Sequence, residues 1–69
     1  MKSPILIKFG KRVRQLRDER GISQEKLGEL AKVHRTYVGM IERGEKNITL
    51  GNIEKLAKAL KVSVTDLFS

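Results

Sequence analysis

The chain has 69 residues, with fifteen Lys and Arg against eight Asp and Glu, a formal charge of +7. That length bounds it to one domain, residues 1–69, whose core is marginal alone and would gain from docking with a second copy. With no Cys and a single His, a disulfide framework, a cysteine nucleophile and a Cys/His zinc site are excluded.

An enzyme is not expected. There is no metal cluster and no phosphate-cradling glycine loop, and the carboxylates lie at helical spacings among basic neighbours. No cofactor and no metal are expected either. No segment approaches the length of a membrane span, and the apolar run from Pro4 to Ile7 is too short for a signal-peptide core. The expected compartment is therefore the cytoplasm, with no membrane partner, and the opening Met1 suits a complete small protein. The excess charge favours polyanions and salt-sensitive association, although a basic surface also serves solubility.

Five helical segments are predicted, with no strand pattern. The first runs from Pro4 or Ile5 to Arg20, with Ile5, Phe9, Val13 and Leu16 as a buried stripe. Ser3 is its expected cap, Pro4 suits its first turn, and Gly21 ends it. Ser23 caps the second helix, where Glu25 favours the positive helix start. Leu27, Leu30 and Ala31 form its apolar face, and it stops near Ala31 or Lys32. The third runs from His34 or Arg35 to Arg43, with Val38 and Ile41 inward, and Gly44 closes it. A polar loop covers Glu45 to Ile48. Thr49 caps the fourth helix, in which Ile53, Leu56, Ala57 and Leu60 share a face. Ser63 and Asp66 form a capping box for a short fifth helix, Val64 to Phe68.

The segment Ser23–Arg43 reads as two short helices joined by a tight turn. Gly28 and Ala31 allow the helices to approach, and Val33, Val38 and Ile41 fill the space between them. The exposed face of the later helix is then Arg35, Thr36, Gly39, Met40 and Arg43, a set suited to a DNA major groove. Arg35 can fork onto guanine O6 and N7, Thr36 can bond a base edge or touch a thymine methyl, and Met40 offers an apolar contact. Gly39 is either a tolerated helix defect or a point of close backbone approach to DNA. Gln24 can reach a phosphate from the start of its helix. Tyr37, Arg43, Lys46 and Asn47 are further phosphate candidates. Lys46 reads equally as a solvated lysine, and Tyr37 can also pack against the domain.

The runs SQEKLGELAKV and RTYVGMIERGEKN resemble the lambda-repressor-like, Cro-type helix-turn-helix family, also known as the xenobiotic-response-element group. The similarity spans Phe9 to Phe68. Arg35-Thr36-Tyr37, followed by Ile41 to Ile48, is similar to the controller proteins of restriction–modification systems. The resemblance implies an all-α, five-helix DNA-binding domain that works as a homodimer on two half-sites. It places Gln24 at a phosphate and Arg35, Thr36 and Met40 over bases. It also implies a structural ion pair between Arg17 and Glu42. Two positions depart from the family pattern. Lys32 stands where Gly is usual, so a reshaped turn is expected. His34 stands where Ser often caps the helix; it can cap, touch phosphate or sit partly exposed, and no ligand or catalytic role is assigned to it.

The reading is a sequence-specific transcriptional regulator of double-stranded DNA, dimeric on a pseudo-palindromic operator and autoregulatory, with RNA polymerase as a further partner. The dimer surface is expected near the C-terminus, with Leu67 in the core and Val64 and Phe68 shared with a second copy. Two rivals remain: an antitoxin or protein-interaction module on the same fold, and a charge-driven, non-specific binder of nucleic acid. A selective preference for one duplex separates the first reading from the last.

Overall fold

The computed structural model describes residues 3–69 and holds four α-helices and a terminal 3-10 turn: α1 (Pro4–Glu19), α2 (Gln24–Ala31), α3 (Arg35–Glu42), α4 (Leu50–Leu60) and Thr65–Phe68. The expected fifth α-helix is thus corrected to a 3-10 turn. Four residues are too few for the i→i+4 ladder, and the chain closes with i→i+3 bonds, such as Leu67 N–H to Val64 O at 3.1 Å. The Ser63–Asp66 box still forms there, with Ser63 N–H donating to Asp66 Oδ2 at 3.0 Å and Asp66 N–H to Ser63 Oγ at 3.3 Å.

Side-chain caps start the three later helices. Ser23 Oγ accepts from Lys26 N–H, His34 Nδ1 from Thr36 N–H and Thr49 Oγ1 from Asn52 N–H. Ser3 departs from expectation: its backbone is extended ahead of Pro4, but its side chain makes no capping bond. All four helices end alike, on a left-handed residue whose follower bonds back five positions. Ile22 N–H reaches Arg17 O, Val33 N–H reaches Gly28 O, Glu45 N–H reaches Met40 O and Val62 N–H reaches Ala57 O. Gly21 and Gly44 supply two of the left-handed residues, and Lys32 and Lys61 the others. Lys32 takes φ 60° and ψ 42° itself, so the turn between α2 and α3 closes without the reshaping anticipated for it.

The core is Phe9, Val13 and Leu16 of α1, Leu27 and Ala31 of α2, Val38 and Ile41 of α3, the α4 stripe Ile53, Leu56, Ala57 and Leu60, and Leu67. Two expected core residues lie outside it. Ile5 is 55% exposed, and burial on α1 begins one turn later, at Phe9, whose ring meets that of Phe68. Leu30 is 48% exposed: α2 buries Leu27 and Ala31, and Leu30 faces an open groove beside Lys32, Lys55 and Lys58.

Two glycines set how closely the helices approach. A Cβ on Gly10 would fall on the carbonyl oxygen of Ile41 and 2.8 Å from that of Glu42, so α1 lies directly against the end of α3. A Cβ on Gly28 would meet the Val33 carbonyl oxygen at 2.7 Å and the Arg35 nitrogen at 3.2 Å, so α2 lies against the start of α3. Arg12 on α1 and Arg20 at its C-cap tie down the rest. Arg12 Nε donates to the Asp66 carbonyl at 2.7 Å, and Arg20 Nε donates to that of Leu60. No helix among the described residues is long and apolar enough to cross a membrane.

Candidate nucleic-acid interface

The surface begins with how α3 is held. Its buried side chains, Val38 and Ile41, fix its roll against α1 and α2, which leaves Arg35 and Thr36 exposed at its first turn and Met40 half-buried one turn on. The cap bond from Thr36 N–H to His34 Nδ1, at 3.0 Å, needs that ring nitrogen without its proton. His34 therefore serves the helix start.

Beneath the outer face lies a polar anchor. Arg17 of α1 donates from Nε and Nη2 to Glu42 of α3 at 2.6 and 3.1 Å, a two-bond fork. Arg17 Nη1 also donates to the Ile22 carbonyl at 2.9 Å. The bond to Glu42 holds the Arg17 pKa above its ordinary value, against the opposing effect of burial. Gln24 joins the same carboxylate, donating from Nε2 to Glu42 Oε1 at 3.0 Å. One cluster thus ties α1, α2 and α3 at a single point. It also leaves the second Nε2 hydrogen of Gln24 for an outside acceptor, the chemistry of a phosphate contact.

Gly39 is buried, which corrects its placement on the exposed face. The Arg43 Nη1 and Gln24 Oε1 atoms would lie 3.1 and 3.5 Å from a Cβ there, so two long polar side chains fold over the gap. The glycine makes room for protein side chains, a reason absent from both readings offered for it above.

Tyr37 packs its ring against the core, one of the two roles considered for it, and its hydroxyl accepts from Asn52 Nδ2 at 2.9 Å. This bond couples α3 to the start of α4. Arg43 caps α3 and donates from Nε to Glu45 Oε1 at 3.0 Å, while Lys46 and Asn47 stand exposed in the loop beyond. Val64 and Phe68 belong to the terminal turn on α1, each about two-fifths exposed (40% and 41%), and the Phe68 ring lies 5.2 Å from that of Phe9.

Sequence reasoning missed three participants. Asn52 gave no signal beyond its place in a helix first turn. Glu45 sat in a loop two residues from its arginine. Glu25 was assigned only to the helix start, yet its carboxylate accepts from Arg35 Nη1 at 2.9 Å. That pairing spans ten residues and depends on the crossing of α2 and α3.

Two helices set against each other through a left-handed turn, with polar side chains opening the second, define a helix-turn-helix. Residues 13–67 match the helix-turn-helix family, and the chain belongs to it. It is 48% identical to control protein C.BamHI of Bacillus amyloliquefaciens over 97% of this chain and 84% of that protein. The restriction–modification controller protein C.AhdI of Aeromonas hydrophila superposes with a TM-score of 0.90 at 51% identity, covering 91% of this chain and 96% of its own. Wild-type controller protein C.Esp1396I superposes at 0.89 with 34% identity, covering 97% and 86%. The chain is a DNA-binding transcriptional regulator.

Proposed function

We propose that this chain is a single-domain, restriction–modification controller-like regulator that binds a pseudo-palindromic operator as a homodimer. Each copy sets α3 into a major groove, with half-sites about 34 Å apart or a near multiple. Arg35 and Thr36 read base edges and Met40 adds an apolar contact. Gln24, Tyr37, Arg43, Lys46 and Asn47 grip phosphates. Val64 and Phe68 meet a second copy. Occupancy that follows concentration through dimerisation would suit control of its own operon in the cytoplasm and contact with RNA polymerase at the promoter.

The observation that carries this reading is the exposed Arg35–Thr36 pair, at the first turn of a helix anchored from behind by Arg17, Glu42 and Gln24. Such anchoring holds the reading side chains at one angle, as base discrimination requires.

The test is selection of bound duplexes from a random library at near-physiological salt. Enrichment of a two-fold-symmetric site supports the reading, and Arg35→Ala should then lose ~1–3 kcal/mol and relax one base pair per half-site. Binding without enrichment would instead favour charge-driven association.

A further inference from the structure

Arg35 stands in an open notch lined by Glu25, Glu29, Val33, His34 and Arg35 itself, between the starts of α2 and α3. Its Nη1 donates to Glu25 Oε2 at 2.9 Å, with 65% and 63% of the two side chains exposed. Glu29 lies one turn further along α2, on the same side, and pairs with Lys26 at 3.7 Å. Nε and Nη2 of Arg35 have no partner among the described residues.

A guanidinium is planar and carries five donors in a fixed fork. When one amino group is bonded to a carboxylate, the plane is oriented, and the remaining edge still offers two parallel N–H groups. Guanine presents two acceptors side by side, O6 and N7, and rewards that orientation. A phosphate is satisfied by charge from many directions and gains little from it. Glu25 also adds negative charge near the DNA, which opposes binding of any duplex.

We infer that Glu25 is a specificity-determining residue that acts through Arg35, gripping one amino group and presenting the other edge to guanine. Glu25 touches no base in this scheme; it is a positioning residue. The inference rests on the base-reading role proposed for Arg35. A merely structural role for Glu25, at the positive end of α2, would alter stability and shift all duplexes alike.

The experiment measures affinity for the selected site and for a random-sequence duplex at one salt concentration. It compares the wild-type chain with Glu25→Ala, Glu29→Ala, Arg35→Ala and the Glu25→Ala/Arg35→Ala double variant, each first checked for an unchanged helical signal. Glu25→Ala should bind the random duplex as tightly or more tightly and the selected site less tightly. The ratio should fall by about two- to fivefold, the range an exposed ion pair supports. The relaxed base pair should be the one that Arg35→Ala relaxes. Glu29→Ala removes the same charge one turn away and should tighten both duplexes together. In the Arg35→Ala background, Glu25→Ala should leave the ratio unchanged. An unchanged ratio for Glu25→Ala alone, or the same fall with and without Arg35, would overturn the inference and leave the base-reading role standing. A wild-type chain with no preference between the duplexes would remove that role, and this inference with it.

Discussion

Glu42 accepts two hydrogen bonds from Arg17, across 25 residues of sequence, with only 3% of its side chain exposed. A charge so far from water is tolerated because both carboxylate oxygens are bonded, one of them also to Gln24. Arg17→Ala should leave that carboxylate with a single donor and cost about 3 kcal/mol, the lower end for a broken buried pair, because the site keeps an edge in water. Glu42→Gln should cost less. Its amide oxygen still accepts, and Arg17 retains the Ile22 carbonyl and Asp18 at 3.5 Å. Urea unfolding of both variants measures this order, and equal, sub-kilocalorie losses would contradict it.

Glycines 28 and 39 should respond oppositely to alanine. At Gly28 the added carbon meets backbone, the Val33 carbonyl oxygen at 2.7 Å. Forcing α2 from α3 should cost ~1–3 kcal/mol and outweigh the helix-propensity gain of roughly 1 kcal/mol. At Gly39 the added carbon comes within 3.1 Å of the end of Arg43, which can swing aside, and only touches Gln24 at 3.5 Å. Gly39→Ala should therefore keep or raise the melting temperature while weakening DNA binding. A folded, unperturbed Gly28→Ala chain would show that the helices approach less closely than described.

Phe68 supplies the prediction for self-association. Its ring packs on Phe9, yet 41% of the residue remains exposed, beside Val64 at 40%. If this face meets a second copy, Phe68→Ala should weaken the dimer in sedimentation equilibrium more than it lowers the monomer's stability to denaturant. An unaltered dimerisation constant would move the interface elsewhere.

Asp66 predicts a pH effect. The Ser63 backbone N–H, then the Ser63 hydroxyl, then Arg12 hold its carboxyl below the ordinary aspartate pKa. The folded state therefore releases this proton more readily than the unfolded chain does. Its contribution to stability is present above the ordinary aspartate pKa and is lost as pH falls through the depressed one. Ser63→Ala should raise the Asp66 midpoint, read by carboxyl NMR, only part of the way, because the backbone donor remains. Complete reversion would make the hydroxyl the main cause.

Where the signals were local, the helices could be read from residue order. Ser23, His34 and Thr49 cap them through bonds to residues two or three positions away, and Gly21 and Gly44 close two of them. The α4 stripe follows from helical period alone, because Ile53, Leu56, Ala57 and Leu60 recur on one face. Periodicity fails for Ile5 and Leu30. It marks a face that can be buried, and burial needs a neighbour that extends far enough. The Arg17–Glu42 pair came from family resemblance, since no spacing rule connects positions 25 apart.

Residue order by itself determined the helical class, the Ser23 and Thr49 caps, the glycine ends at Gly21 and Gly44, the basic charge and the run of polar residues that opens α3, because each depends on bonds or periods spanning a few positions. Only the tertiary structure decided that Glu25 holds Arg35, that Gln24 shares Glu42 with Arg17, that Asn52 bonds Tyr37 and that Gly39 lies beneath two side chains. Those contacts exist because α2, α3 and α4 cross at particular distances and angles. The crossings are set jointly by Gly10, Gly28 and the whole buried core, and no local stretch of sequence contains them.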